Sequence, residues 1–185
     1  LSKRRVVITG MGIVSPVGSR LEDAWSNVCE GVSGTVLIDG FDTSKYPTRI
    51  AGLVKGFNAD DYLSPKEQRK NDPFIYYGIG ATMDAIADAG LEITEENGHT
   101  IGVAMGAGIG GIKTIEDNHN KMLEGGPRKV SPFFIPGSII NMISGQTSIM
   151  RHITGPNISI VTACATSTHC IGLAARSIEH GDADV

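Results

Sequence analysis

Aromatic side chains are scarce, at 5% of residues with a single tryptophan, and charged side chains make up only 19%. So little charge excludes a disordered or polyelectrolyte tail, a class that buries too little apolar surface to fold. Basic residues are not in surplus either: 16 Lys+Arg stand against 20 Asp+Glu, a formal net charge of -4. A balance of that sign gives no global field for nucleic acid. No apolar run approaches the ~20 residues that cross a bilayer, and the run behind the basic start, Val6-Val7-Ile8, is too short for a secretory signal. Cysteine is limited to Cys29, Cys164 and Cys170, an odd number at no framework spacing. A disulfide scaffold is therefore not expected, and a reducing, cytoplasmic setting fits best.

Glycine is what the chain has in quantity, 24 of 185 residues. The glycines form no low-complexity tract; they cluster at the ends of apolar runs, where a chain leaves a strand and approaches something closely. The length suits one domain with a substantial core, on a prior of roughly 100–200 residues per domain. Buried strands are expected at Arg5–Thr9, Thr100–Met105 and Asn157–Val161. Helices are expected at Leu21–Val28, from the capping box Ser64-Pro65-Lys66-Glu67, from Asp72-Pro73 to Ala89 with a stop at Gly90, and at Ile112–Leu123, Gly137–Met150 and Ala165–His180. Between Gly31 and Asp61 the reading is irregular. The Asp72–Ala89 helix carries an apolar stripe, Ile75, Ile79, Met83 and Ile86, and a small face, Gly78, Ala81 and Ala85, which predicts burial on two sides. Ser131–Pro136 reads as an ordered loop. Strands alternating with helices imply an α/β fold with a parallel sheet covered on its faces. Gly181–Val185 reads as the turn after a helix with the first residue of a further strand, so a fragment of a longer chain is expected.

Two segments are candidates for chemistry. Gly106-Ala-Gly108-Ile-Gly-Gly111 is a full GxGxxG between an expected strand and helix, the form that cradles a pyrophosphate. That reading needs an acidic strand end ~20 residues on; the window holds Gly125-Gly-Pro-Arg-Lys129 instead, which favours a close-approach loop in a tightly packed sheet. The second segment runs from Ser159 to His169 and delivers Cys164 from a strand into a sharp turn with a helix behind it. The first turn of a helix, with free N–H groups and the positive dipole end, favours a thiolate nucleophile. Small neighbours leave room for a thioester, and the Cys164 N–H is available as an oxyanion donor. A buried, inert cysteine is the competing reading. His169, five residues on, points about 140° away around a helix and is a poor base for Cys164; packing or capping suits it better. His99, His119, His152 and His180 share no spacing with each other or with Cys29 and Cys170, so a metal is unsupported. Lys66, Arg69 and Lys70 form one basic edge, and Arg128 and Lys129 a second cluster. Each reads as a solvated face or as the place where a small acidic partner docks.

Thr162-Ala-Cys164-Ala-Thr-Ser-Thr-His169, with Ala174-Ala-Arg176 and Gly181-Asp-Ala-Asp184 behind it, resembles the active-site signature of the condensing enzymes. Arg4–Gly10 through Ser15-Pro-Val-Gly18 resembles the N-terminus of the same family. Lys66–Lys70, Gly108–Gly111 and Gly126–Phe134 narrow the resemblance to the bacterial β-ketoacyl-acyl-carrier-protein synthase II group of the thiolase superfamily. The resemblance covers essentially the whole chain. It implies the layered αβαβα thiolase fold, of which residues 1–185 would be the N-terminal half, in a homodimer that uses no cofactor. It further implies that Cys164 takes an acyl group from acyl-carrier protein, before malonyl-carrier protein loses carbon dioxide and condenses with it. Ile109 would gate the acyl pocket, and Phe134 would cross the dimer interface to line the partner's pocket. Lys66, Arg69, Lys70, Arg128 and Lys129 would dock the carrier protein. The decarboxylating histidines and the second oxyanion donor would belong to the other half, so this piece alone is expected to be inactive and to expose an apolar face. Cys170 departs from the commonest pattern and receives no role. The alternatives are a related synthase of different chain-length preference, a nucleotide-binding oxidoreductase built on Gly106–Gly111, and a chain-length partner subunit lacking the nucleophile, against which Cys164 argues.

Overall fold

The structure, a computed structural model, describes residues 4–185, so Lys3 of the basic start lies outside it. Local signals account for the first elements. Helix α1 spans Leu21–Cys29. Ser64 caps α2 (Pro65–Gln68): its side chain accepts from Glu67 N while Glu67 reaches back to Ser64 N, so the expected capping box forms in full. The acceptor role holds the Glu67 carboxyl below its ordinary pKa, because the Ser64 bonds favour the ionised form. Helix α3 (Pro73–Asp88) has Asp72 as its N-cap and ends at Ala89, with Gly90 in the left-handed region at φ 60°.

Helix α3 is the central pillar, and its two faces behave as the spacing predicts. Ile75 and Ile79 are fully buried and join Leu63 and Ile143 in one cluster. On the small face, Gly10 and Gly12 of the N-terminal segment lie directly on the α3 backbone at Ala85 and Ala81, an approach that any Cβ would block. A second cluster, Ile101, Val103 and Ile153, shares Met105 with the first.

Strands β1 (Thr35–Leu37) and β2 (Ile50–Gly52) pair antiparallel inside the stretch read as irregular. The main pair is β3 (Val103–Gly106) with β4 (Asn157–Ile160), parallel, in register from Val103↔Asn157 to Gly106↔Ile160. Between them come α4 (Ile112–Gly125), a 3-10 turn (Pro127–Lys129), α5 (Phe134–Ser138) and α6 (Met142–Arg151). Helix α7 (Thr166–His180) follows β4 and packs back on β3. Beyond its Gly181 cap, Asp184 N donates to Thr100 O and Gly102 N to Val185 O, so the last residues run beside the start of β3.

Three expectations need correction. Arg5–Thr9 is no strand among the described residues: it has no ladder partner and leaves Val7 and Ile8 exposed, although β-branched composition signals burial. The Ser131–Pro136 loop is helical from Phe134 onward. The Gly137–Met150 helix is two helices, because Ser138 O accepts from Gly111 N and Ile139 turns to an extended conformation. Trp25, Ile149 and Ile171 each expose about two thirds of their surface.

Candidate active site

Parallel β3 and β4 end on the same side of the sheet, so the loops leaving them are neighbours, which is where parallel sheets place their sites. The chain leaves β4 through Val161 and Thr162, turns at Ala163–Ala165 and enters α7 at Thr166. Ala163 sits in the left-handed region at φ 51°, a conformation that costs an alanine about 1 kcal/mol or more and that sharp functional turns retain. Hydrogen bonds hold the turn. Thr162 N donates to Thr166 Oγ1 at 3.0 Å, the Thr166 hydroxyl donates to Ala163 O at 2.8 Å, and Ala165 N donates to Thr162 O at 3.0 Å. The N–H of Cys164 takes no part in these bonds.

Cys164 is exposed on the crest of this turn. Cys170, six residues on, is buried, and burial raises its thiol pKa. Cys29 is exposed at the far end of α1. His169 Nδ1 shares a 2.7 Å hydrogen bond with Thr162 Oγ1 and so braces the turn. The seven-residue spacing, two helical turns, is the signal that finds this pair.

The glycine loop runs alongside. At Gly106 any Cβ would collide with Ile160 O and lie 2.6 Å from Thr166 Cγ2, so the loop begins in contact with the turn. A Cβ on Gly108 would stand 3.8 Å from Ala163 O. Ile109 is exposed at the loop's tip. The loop then closes on α5: Gly111 N donates to Ser138 O at 3.0 Å. Phe134, half-buried, opens α5, and its carbonyl accepts from Ser138 Oγ at 2.7 Å. Loop, turn and α5 are therefore contiguous: Gly108 lies beside Ala163, Gly110 and Gly111 lie beside Ser138, and Ile109 stands in the chain between them. About 20 residues past the loop the chain forms the 3-10 turn Pro127–Lys129 rather than an acidic strand end, so the ribose-holding partner of a dinucleotide site is missing there.

Lys66 and Arg69 are exposed on and just after α2, and Lys70 lies with its Nζ 5.2 Å from the centroid of the Phe133 ring. Arg69 and Lys70 line a cleft of about 290 Å³ with Lys113 and Lys121. Lys121 also borders the hollow lined by Lys129, with Arg128 exposed beside it. The two basic clusters thus share one side of the molecule. Lys121, which joins them, was not singled out from the sequence; its i+8 relation to Lys113 along α4 was the available signal. Among the described residues no group of three His, Cys, Asp or Glu could hold a metal ion, and no helix is long and apolar enough to cross a membrane.

Comparison with known proteins decides the family. The family described as "Beta-ketoacyl synthase, N-terminal domain" matches residues 3–185. The chain belongs to the β-ketoacyl synthase family. It is 57% identical over 184 residues to the 3-oxoacyl-[acyl-carrier-protein] synthase 2 of Vibrio cholerae, covering 100% of this chain and 44% of that protein. The enzyme of the same name from Coxiella burnetii is 52% identical over 184 residues, with the same coverage. In Staphylococcus aureus strain COL the identity is 46% over 181 residues. The chain therefore spans less than half the length of these relatives. Solved structures agree: the ishigamide ketosynthase/chain length factor superposes with a TM-score of 0.86 at 25% identity, covering 98% of this chain and 46% of that one. A ketosynthase in complex with its type II PKS acyl-carrier protein gives 0.83 at 25% identity, over 98% and 49%. The thiolase-like α/β fold expected of a β-ketoacyl synthase is thus the observed one.

Proposed function

We propose that this chain supplies the acyl-accepting half of a 3-oxoacyl-[acyl-carrier-protein] synthase of type II, an acyltransferase that lengthens fatty acyl chains. The exposed Cys164, on a strained turn between β4 and α7, carries the reading. The Cys164 thiolate attacks the acyl thioester carbonyl, and the tetrahedral intermediate collapses to an acyl-enzyme with release of the carrier's thiol. The Cys164 N–H donates to the developing oxyanion. Malonyl-carrier protein then loses carbon dioxide, and its α-carbon attacks the Cys164 thioester. A β-ketoacyl chain two carbons longer leaves on the carrier, and the thiolate is restored. Residues outside this chain supply the decarboxylation and the second oxyanion donor. Ile109 forms the wall of the acyl pocket, and Phe134 reaches into the pocket of a second copy in a homodimer, working in the cytoplasm. Incubating the intact protein with acyl- and malonyl-carrier protein should yield the lengthened β-ketoacyl product and carbon dioxide; reduction or oxidation of a nicotinamide nucleotide in their place would contradict the reading.

The acidic carrier protein docks on the side that bears Lys66, Arg69, Lys70, Arg128 and Lys129. The relative solved with its carrier protein supports this partner class. Replacing Arg69 and Lys70 together with Glu is expected to raise the KM for carrier-protein substrates roughly ten-fold at low salt with little change in kcat, and the effect should shrink with added salt. Steady-state kinetics at two ionic strengths check this, and an unchanged KM would contradict it.

A further inference from the structure

Asp72 is the only charged side chain among the described residues that is buried, at 4% exposure, and the proposed chemistry does not use it. It serves two helices at once. One carboxylate oxygen accepts from Phe74 N at 3.3 Å, capping α3, and the other accepts from Thr114 N at 2.9 Å in the first turn of α4. Two helix N-termini and two N–H donors therefore hold this buried charge, which replaces the water it has lost. Its own N–H donates to Gly137 O at 3.1 Å. The backbone at Gly111 is pressed between Asp72 and Ser138: a Cβ there would lie 3.1 Å from Asp72 Cγ and 2.7 Å from Ser138 Cα.

Asp72 thus ties the first turn of α4 to α3 and, through its own N–H, to α5, and it packs against Gly111, two residues from Ile109. The network continues inward. Buried Asn118 donates to Thr114 O at 2.8 Å and accepts from Ser131 N at 2.8 Å, which anchors the segment leading to Phe134. We propose that Asp72 is a positioning residue that fixes the glycine loop, and through it the acyl-pocket wall at Ile109, by bridging the N-termini of α3 and α4. The proposal rests on the reading of Ile109 as part of the acyl pocket. Asp72 touches no substrate; its effect is on which acyl lengths the pocket accepts.

Asp72→Asn and Asp72→Ser separate this role from simple stability. Asn and Ser are both good N-caps and retain the bond to Phe74 N. Asn, however, turns an NH2 toward one of the two N–H donors, and Ser is too short to reach Thr114. In the intact protein, amide exchange at Thr114 is expected to accelerate about ten-fold or more in both variants. The ratio of Cys164 acylation rates with dodecanoyl- and butyryl-carrier protein should shift roughly five-fold or more, since small displacements near a reacting group carry large rate effects. Thr114 exchange as slow as in the unaltered protein, or a length ratio that stays constant while exchange accelerates, would overturn the proposal. An unaltered protein that accepts neither acyl group would overturn the reading of the site instead, and the exchange result would still decide whether Asp72 holds the loop.

Discussion

Replacing Cys164 with Ala is expected to abolish acyl-enzyme formation, lowering acyl transfer by about 10⁴-fold or more, the scale on which removal of a covalent nucleophile acts. The fold should persist: Cys164 is exposed, and the hydrogen bonds of its turn come from Thr162, Ala165 and Thr166, so stability should stay within about 0.5 kcal/mol. Cys164→Ser should be nearly as inactive, because a hydroxyl yields no comparable anion near neutral pH. Cys170 is the internal control. Burial raises its pKa and keeps it a thiol, so Cys170→Ala should affect packing and leave the site of acylation unchanged. Intact-mass measurement before and after exposure to an acyl thioester reads all three variants, and an acyl adduct on the Cys164→Ala protein would contradict the assignment.

Gly106→Ala is expected to produce the largest structural effect near the site. Gly106 is the last residue of β3 and pairs with Ile160 at the end of β4. An added Cβ would meet Ile160 O and the methyl of Thr166, and one of these two is backbone that cannot rotate away. The strands must separate or α7 must shift, at a cost of about 3 kcal/mol. Thr166 anchors both Thr162 and Ala163, so the same displacement reaches the Cys164 turn and should lower the acylation rate of the folded fraction. Gly108→Ala, with ordinary contact distances around it, should be close to neutral for stability. Denaturant unfolding of both variants checks the contrast, and equal midpoints would contradict it.

Much of this arrangement is legible in the residues because its causes are local. The Ser64 capping box, the Asp72-Pro73 start, the Gly90 stop and the Ile75/Ile79 stripe each act within one or two helical turns, and each appears as read. The strand–turn–helix around Cys164 is local in the same sense. What escaped the reading depends on distant partners. Val6-Val7-Ile8 has strand composition, but a strand exists only where another backbone pairs with it. The three-residue β1 and β2 are joined by register across an intervening loop that no periodicity reports. The break before α6 arises because Ser138 O is taken by Gly111, 27 positions earlier. Asp72 was visible as a helix start; its second bond, to Thr114, lies 42 positions away. The basic edges at Arg69–Lys70 and Arg128–Lys129 were separate in sequence and share a side only through the folding of α4 against both.

Cys164, and no other thiol, is expected to receive the acyl group. Peptide mapping after incubating the intact protein with acyl-carrier protein thioester tests it most directly. Trypsin releases residues 152–176 as one peptide that carries both Cys164 and Cys170, so fragment ions between the two positions decide. The acyl mass is expected on Cys164, with Cys170 and Cys29 unmodified. An adduct on either of those two, or none on a protein that still forms the lengthened product, would contradict it.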